Sequence, residues 1–514
     1  MVRELQENPA ALPSLALAHT ELALAAPHSR NGGALTPRRR TKIVATVGPA
    51  TGSPRVLREL ILHGVDVLRL NFSHGTQEEH GRTITEARKI AKELGKPLAI
   101  LQDLQGPRLR VGLMASGAAR LVPGQDFILT TSEIEGTEKK ASVSYSALPD
   151  EVQPGQRVLL DDGKLRLRVT KVLGQDIHCN VEVGGILYDH KGINVPEVRL
   201  SASSLTEKDL EDLDFGLRCG IDYIALSFVR SANDARSLRA ELVRRRARVP
   251  IIAKIEKAEA IAAIDEIVRA FDGVMVARGD LGVEIGPERV PLLQKAIIRK
   301  ANNLDKVVIT ATQMLESMVS SPTPTRAEAS DVANAILDGT DAVMLSAETS
   351  IGMYPLEAVD MMNSIAREVD AVTMEYHAPV ATYPAHAVVR AAHGLALEVG
   401  AVAIDVVTTS GRTAHLLAKQ RPQTPVFAFT KNEHVYNALA MWWGVTPLIA
   451  PFTTRTNDMI AYMEDEMLKM GAAHQGDRLI IVGSTPLTEG GRTNFLKVQS
   501  IRRRAATRPP GAKS

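Results

Sequence analysis

Cysteine is almost missing from this 514-residue chain, which has only Cys179 and Cys219. Two cysteines without metal-ligand spacing supply neither a disulfide framework nor a zinc site, so a reducing, cytoplasmic setting is expected. Aromatic residues are also scarce, at 4%. That scarcity, with 61 basic residues nearly cancelled by 59 acidic ones, argues against the basic, ring-lined track that binds nucleic acid. No apolar run reaches the ~18 residues of a membrane span. The most suggestive, 12–27, is interrupted by Ser14, His19, Thr20 and Glu21, and no membrane partner is expected.

Hydrophobic residues make up 45%, and the length suggests two to four domains, each with its own core. Residues 1–40 resemble an added arm, ending in Gly32-Gly33 and Arg38-Arg39-Arg40. From Lys42 onward, short runs of Val, Ile, Leu and Ala alternate with segments of helical period, the pattern of β/α units in a parallel sheet. Strands are predicted at 42–47, 65–70, 98–101, 223–227, 251–255, 274–277, 307–311 and 342–345. Between the first of them, Ser53 with Pro54 opens a helix that stops at Gly64, and Thr76 with Glu79 forms a capping box. Eight units point to a closed (β/α)8 barrel, spanning 41–108 and 196–375, whose reactive groups sit where strands end.

The intervening stretch, 109–195, has a different texture. Pro123-Gly124, Pro154-Gly155, Asp161-Asp162-Gly163 and Gly184-Gly185 punctuate short β-branched runs, which predicts a small inserted β-barrel acting as a lid on the reactive rim. After about residue 376 a further α/β domain is expected, with strands at 401–407, 425–429 and 478–482.

The strand ends carry charge. Strand side chains alternate, so Arg69 and Asn71 of strand two point together, as do Lys254 and Glu256 of strand five, and Arg278 and Asp280 of strand six. One such pair is readily a buried structural ion pair, but three converging on one rim imply use. Glu256 and Asp280 are hard oxygen ligands of the kind Mg²⁺ or Mn²⁺ prefers. Beside them Lys254 can neutralise charge on a transferring phosphoryl group. Arg69 is a fixed cation suited to phosphate. Gly279 and Gly282 flank Asp280 and let backbone approach a ligand. Thr310 and Thr312 close strand seven, and position alone gives Thr312 little weight.

These runs carry a resemblance. Arg69-Leu-Asn-Phe-Ser-His-Gly75, Ile252-Ala-Lys-Ile-Glu256, the segment 272–282 around Arg278-Gly279-Asp280, Ala311-Thr-Gln-Met-Leu-Glu-Ser317 and Ser330-Asp-Val-Ala-Asn-Ala335 resemble the pyruvate kinase family in order and spacing. The likeness extends from about Lys42 to Ile501. It implies that Mg²⁺ (or Mn²⁺) on Glu256 and Asp280 binds phosphoenolpyruvate, that Arg69 and Lys254 hold the phosphoryl group, and that ADP attacks in line to give ATP. The enolate of pyruvate then takes a proton from the side of Thr312. Ala277, Arg278, Gly279, Asp280 and Thr312 are the implied substrate contacts. Asn71, His74, Arg110 and Lys191 are the implied nucleotide contacts, although His74 read alone is a structural residue. A homotetramer is also implied.

Relatives bind K⁺ through positions matching Asn71, Ser73, Asp103 and the backbone of Leu104. Potassium-dependent relatives carry glutamate where this chain has Arg108. A built-in guanidinium can replace the monovalent charge, so potassium-independent catalysis is expected.

In the last domain, Thr408-Thr409-Ser410-Gly411-Arg412-Thr413 follows a strand and opens a helix. Read alone it is an ordinary turn with capping hydroxyls. The resemblance makes it a site for a phosphorylated allosteric effector, with Gly483-Ser484-Thr485-Pro486 and Gly490-Gly491-Arg492-Thr493 nearby. The clusters Arg244–Arg246 and Arg502–Arg504 are solvated faces or tails. Two rivals stay open: a metal-dependent lyase or aldolase sharing the metal carboxylates, and a noncatalytic metabolite-binding protein.

Overall fold

The computed structural model describes residues 39–196, 198, 200–201, 203–372, 383–451, 455–485 and 491–501. The linker around 376, the segment 486–490, Arg502–Arg504 and nearly all of the N-terminal arm lie outside the described residues.

Eight strands, Lys42–Val47, Val67–Asn71, Ala99–Asp103, Tyr223–Leu226, Ile251–Ile255, Gly273–Ala277, Val307–Ala311 and Ala342–Leu345, form a closed parallel barrel in chain order. The first strand pairs with the eighth, Lys42 opposite Ala342. The connecting helices start and stop on local chemistry. Ser53 accepts from the Val56 amide to open Pro54–Leu62, and Thr76 and Glu79 exchange bonds to open Gln77–Leu94, which ends at left-handed Gly95. A second capping box, Thr206 with Asp209, opens Glu207–Cys219. Each such cap is worth about 1 kcal/mol.

One apolar layer lies between strands and helices, with Leu57, Leu60, Ile84, Leu213, Phe271 and Ile298 inside it. The other fills the barrel and does not stop at its base. It runs from Val44, Leu101, Ile252 and Ile309 through Tyr223 to Met441 and Trp442 of the C-terminal domain. There Tyr223 Oη donates to the Ala438 carbonyl (2.8 Å) and receives Trp442 Nε1–H (3.2 Å). The C-terminal domain therefore plugs the end of the barrel away from the reactive rim.

The insert after strand three wraps a core of Phe127, Leu129, Leu167 and Ile177. A six-stranded sheet and a two-stranded ribbon, Ala118–Leu121 with Gly185–Tyr188, cover it. It meets the barrel where Asn194 Nδ2 (3.1 Å) and Lys257 Nζ (2.7 Å) share Glu284 Oε1.

The C-terminal sheet has five strands in the order Val445–Ile449, Val426–Thr430, Ala403–Val407, Arg478–Gly483 and Phe495–Ser500, the last antiparallel. A buried polar knot ties this domain to the barrel. Lys419 Nζ donates to Asp341 Oδ2 and Asn302 Oδ1 (2.8 Å), and the Arg421 guanidinium lies 3.0 Å from Asp341 Oδ1. Arg39 and Arg40, grouped with the arm by composition, are fixed here too. Arg39 bonds Asp66 and Asn363, and the Arg40 amide bonds Asp370. Among the described residues no helix is long and apolar enough to cross a membrane.

Candidate active site

The ends of strands two to five converge on one charged network. Arg69 donates through Nε and Nη2 to Asp103 Oδ2 (2.7 and 2.6 Å) and through Nη1 to Thr46 Oγ1 (3.0 Å). Asp103 is fully buried, and its other oxygen lies 3.4 Å from Lys254 Nζ. Lys254 stands 3.5 Å from Glu256 Oε2, and Glu256 Oε1 accepts the Phe228 amide (2.6 Å). Burial opposes charge on Lys254, but Asp103 and Glu256 outweigh it and its pKa is raised. Burial also resists ionisation of Asp103, yet Lys254 and Arg69 hold its pKa down. Glu256 goes the other way, raised by burial and by the nearby charge of Asp280, against Lys254. Two carboxylates that repel each other beside a fixed lysine want a further cation.

Ser227, which the sequence reading passed over, links the network to the backbone. Its Oγ accepts from Lys254 Nζ (2.8 Å) and donates to the Leu104 carbonyl (2.7 Å). The available signal was a lone hydroxyl after the apolar run Tyr223–Leu226, at the end of barrel strand four. Thr46, at the end of strand one, was missed in the same way.

Strand six ends earlier than alternation assumed. Gly273–Ala277 passes directly into the helix Arg278–Ile285, so Arg278 and Asp280 are two helical positions apart and do not point together. Arg278 is buried. It donates to the carbonyls of Thr312 and Gln313 and pairs with Asp331 (2.6 Å), so its side chain supports the strand-seven loop. Asp280 stays at the rim, close enough to raise the Glu256 pKa.

Strand seven departs from alternation as well. Thr310 is buried against Thr340 (3.0 Å). Thr312 and Gln313 have φ of 68° and 53°, a left-handed pair that turns the chain at the rim. This is a costly conformation for a β-branched residue. Thr312 Oγ1 accepts the Gly279 amide and donates to the Ala311 carbonyl, both at 2.7 Å. A Cβ at Gly279 would lie 3.4 Å from that oxygen, an ordinary contact, so the approach of the two loops rests on the amide hydrogen bond.

Asn71 lies opposite Asp103 in the strand register, and its Oδ1 accepts the Ser73 amide (3.2 Å). Asn71, Ser73, Asp103 and Leu104 thus occupy adjoining strand ends. Arg108 packs against Gly192 of the lid. Its charge reaches His74, whose pKa is lowered by burial and then by Arg110, Arg108 and Arg69. Across the rim, Arg110 Nη1 donates to the His190 carbonyl (2.9 Å) and Lys191 Nζ pairs with Asp161 (2.8 Å).

In the C-terminal loop, the Gly411 amide donates to Thr408 Oγ1 (2.9 Å), Gly411 has φ 83°, and the Thr413 and Thr493 hydroxyls share a bond (2.7 Å). Arg245 is largely covered and pairs with Asp214 and Glu241, while the exposed Arg244 pairs with Glu241.

The pyruvate kinase barrel-domain profile matches residues 38–359, and the pyruvate kinase alpha/beta-domain profile matches residues 386–499. The chain belongs to the pyruvate kinase family. The pyruvate kinase of Geobacillus stearothermophilus is 46% identical over 473 residues, which cover 90% of this chain and 81% of that one. Pyruvate kinase 2 of Synechocystis sp. is 47% identical over 473 residues, 90% of this chain and 80% of its own. A crystal structure of a pyruvate kinase from Cryptosporidium parvum superposes with a TM-score of 0.83 at 34% identity, covering 90% of this chain and 96% of that chain. The chain is accordingly a phosphotransferase, and the lyase and binding-protein readings fall away.

Proposed function

We propose that this pyruvate kinase moves the phosphoryl group of phosphoenolpyruvate to ADP at the rim where Lys254, Arg69, Glu256 and Asp280 meet. The observation that carries the reading is the Lys254 ammonium, held charged between Asp103 and Glu256 at 3.4 and 3.5 Å. A cation fixed there neutralises charge spreading over the transferring group, and Arg69, braced by Asp103, fixes its orientation. The backbone of Ala277 and Gly279 borders the same space, and Asn71, His74, Arg110 and Lys191 line the side from which ADP enters.

Glu256 and Asp280 fit a divalent ion. Among the described residues no cation pairs with Asp280, and the two carboxylates raise each other's energy when both are ionised. Mg²⁺ or Mn²⁺ bound there would supply charge neutralisation for substrate oxygens. Thr312 Oγ1, held by the Gly279 amide and the Ala311 carbonyl, belongs to the relay on the side from which the methylene carbon of the enolate takes its proton.

Two finer readings accompany this one. Arg108 supplies the monovalent charge near Asn71, Ser73, Asp103 and Leu104, supported by its reach to His74. The loop Thr408–Thr413 takes a phosphorylated effector, supported by the exposed Ser410 and Arg412 beside left-handed Gly411. A tetramer in the cytoplasm is the expected form.

A coupled assay of ADP-dependent pyruvate formation with Mg²⁺ tests the main reading. Lys254→Met is expected to lower kcat by 10³-fold or more while the fold is retained; undiminished phosphoryl transfer would remove Lys254 from the reaction.

A further inference from the structure

A cavity of about 300 Å³ lies at the end of the barrel opposite the Lys254 rim. Its floor comes from residues at the N-terminal ends of barrel strands, Asp272, Asp305 and Lys306, and its roof from the C-terminal domain, Tyr383, Arg412, His415 and Trp442. Cavities of this size at domain junctions are where small ligands bind.

The charges on its wall are unevenly matched. Asp272 is taken by Arg239 (3.1 Å) and the Ile251 amide (2.9 Å), and Asp305 Oδ2 by His386 Nε2 (2.6 Å). Among the described residues neither Lys306 nor Arg412 forms an ion pair at hydrogen-bond distance, although Asp272 and Asp305 act on Lys306 from farther off. Lys306 Nζ donates to the Phe271 carbonyl (2.6 Å) and more weakly toward that of Arg269 (3.4 Å), leaving one N–H. Arg412 donates one N–H to Tyr383 Oη (3.0 Å) with its guanidinium 5.2 Å from the Tyr383 ring centroid. Burial lowers the Lys306 pKa against the pull of Asp272 and Asp305, and Arg239 and, last, Arg412 add to the lowering, which places the two cations near each other. They face a flat wall, the His415 ring stacked on Trp442 at 3.8 Å and 11°. Asp305 Oδ1 is buried and accepts no bond of normal geometry from the described residues, with the Tyr383 hydroxyl the neighbouring donor to the same carboxylate.

We propose that this cavity binds a small hydroxylated anion. Its phosphate or carboxylate is held by Lys306 and Arg412, a hydroxyl donates to Asp305 Oδ1, and its carbon skeleton lies against the His415–Trp442 stack. The cavity adjoins the Thr408–Thr413 loop and shares its Arg412, whereas Lys306, Asp305 and the His415–Trp442 stack lie outside that loop. Because the anion bridges a barrel lysine and a C-terminal-domain arginine, its occupancy favours one arrangement of the two domains, and by linkage the barrel chemistry reports on it.

Isothermal titration of the whole protein with glycerol 3-phosphate, glycerate, inorganic phosphate and glycerol tests this. At least one of the two hydroxylated anions is expected to bind in the millimolar range or better, tighter than inorganic phosphate, with glycerol inert; the tighter of the two names the anion. Lys306→Met is expected to weaken it tenfold or more. Asp305→Asn, which keeps an acceptor for His386, erases the preference over inorganic phosphate. Thr409→Val in the effector loop and Lys254→Met at the rim leave the affinity within twofold. Absence of binding, or binding lost in Thr409→Val or Lys254→Met but kept in Lys306→Met, overturns the proposal. Because the readout is heat of binding, failure here is separable from failure of the phosphoryl-transfer reading.

Discussion

Lys254 and Ser227 are joined by a 2.8 Å hydrogen bond, and the same serine hydroxyl donates onward to the Leu104 carbonyl. The lysine proposed to face the phosphoryl group is thereby fixed to a backbone atom at the expected monovalent-cation position. Of its three N–H donors, one is committed to this anchor.

Ser227→Ala removes the anchor without removing charge. The expected result is a kcat loss of about tenfold to a hundredfold, of the size that misorientation of a catalytic group produces, with a smaller change in KM for phosphoenolpyruvate. Ser227→Thr, which restores a hydroxyl, is expected to recover part of the loss. Equal kcat in Ser227→Ala and the parent would show that Asp103 and Glu256 position Lys254 unaided.

Arg108 leads to a comparison of salts. Rates in tetramethylammonium and potassium buffers of equal ionic strength are expected to agree within twofold, whereas Arg108→Glu should need potassium. A parent enzyme whose rate collapses without potassium sinks the idea that the guanidinium replaces the ion.

Asp405 offers a test of proton linkage. It lies in the middle of the C-terminal sheet, fully buried, with neither carboxylate oxygen accepting a hydrogen bond from the described residues, and burial raises its pKa well above the usual range. The unfolded chain ionises near the ordinary carboxylate pKa while the folded chain holds its proton. This group's contribution to stability is therefore complete below that pKa and is lost as pH rises toward the folded value. Asp405→Asn removes the linkage. Its stability relative to the parent, measured by denaturant unfolding, is expected to improve with pH by up to about 1.4 kcal/mol per unit across that window. A difference independent of pH would mean that Asp405 finds a partner.

Lys419 has the opposite sign. Burial lowers its pKa to about 8, against the pull of Asp341. The folded chain loses this proton before the unfolded one, so burying the charge costs stability in full below pH 8 and the cost fades as pH rises to the unfolded lysine value. Lys419→Met nevertheless leaves Asp341 short of a partner at the domain junction, and a loss of about 3 kcal/mol is expected at pH 7. Unchanged thermal unfolding of the C-terminal domain would show that Arg421 and the Val308 amide satisfy Asp341 alone.

The barrel was legible because its strands are buried on both faces and read as apolar runs between capped helices. Ser53, Thr76 and Thr206 act as caps where their side chains predict it. Lys254 with Glu256 was legible because alternation carries through the end of strand five, whereas Arg69, grouped by alternation with Asn71, pairs with Asp103 of the neighbouring strand, a contact no single-strand pattern announces. Alternation fails at Arg278 and Thr312, where the chain turns into a helix or a left-handed pair, and no period-two pattern carries across such a turn. The strand Val445–Ile449 was hidden by Pro447. Phe495–Ser500 was hidden by its edge position, which leaves its side chains half-buried or exposed without the run of apolar residues that marks a covered strand. The knot of Lys419, Asp341 and Asn302 joins residues 78 and 117 positions apart, and no local pattern announces such a pair.

The pairing of Lys42 with Ala342 sets a timetable for synthesis. The first barrel strand emerges from the ribosome with Ile43, Val44 and Ala45, all fully buried in the finished protein, and one of its two edges has no partner until the eighth strand is made. At about 5–20 residues per second, that wait lasts roughly 15–60 s. During it the nascent chain carries an open apolar edge, so slower elongation or scarce chaperones should tell on the yield of this enzyme before they tell on its stability.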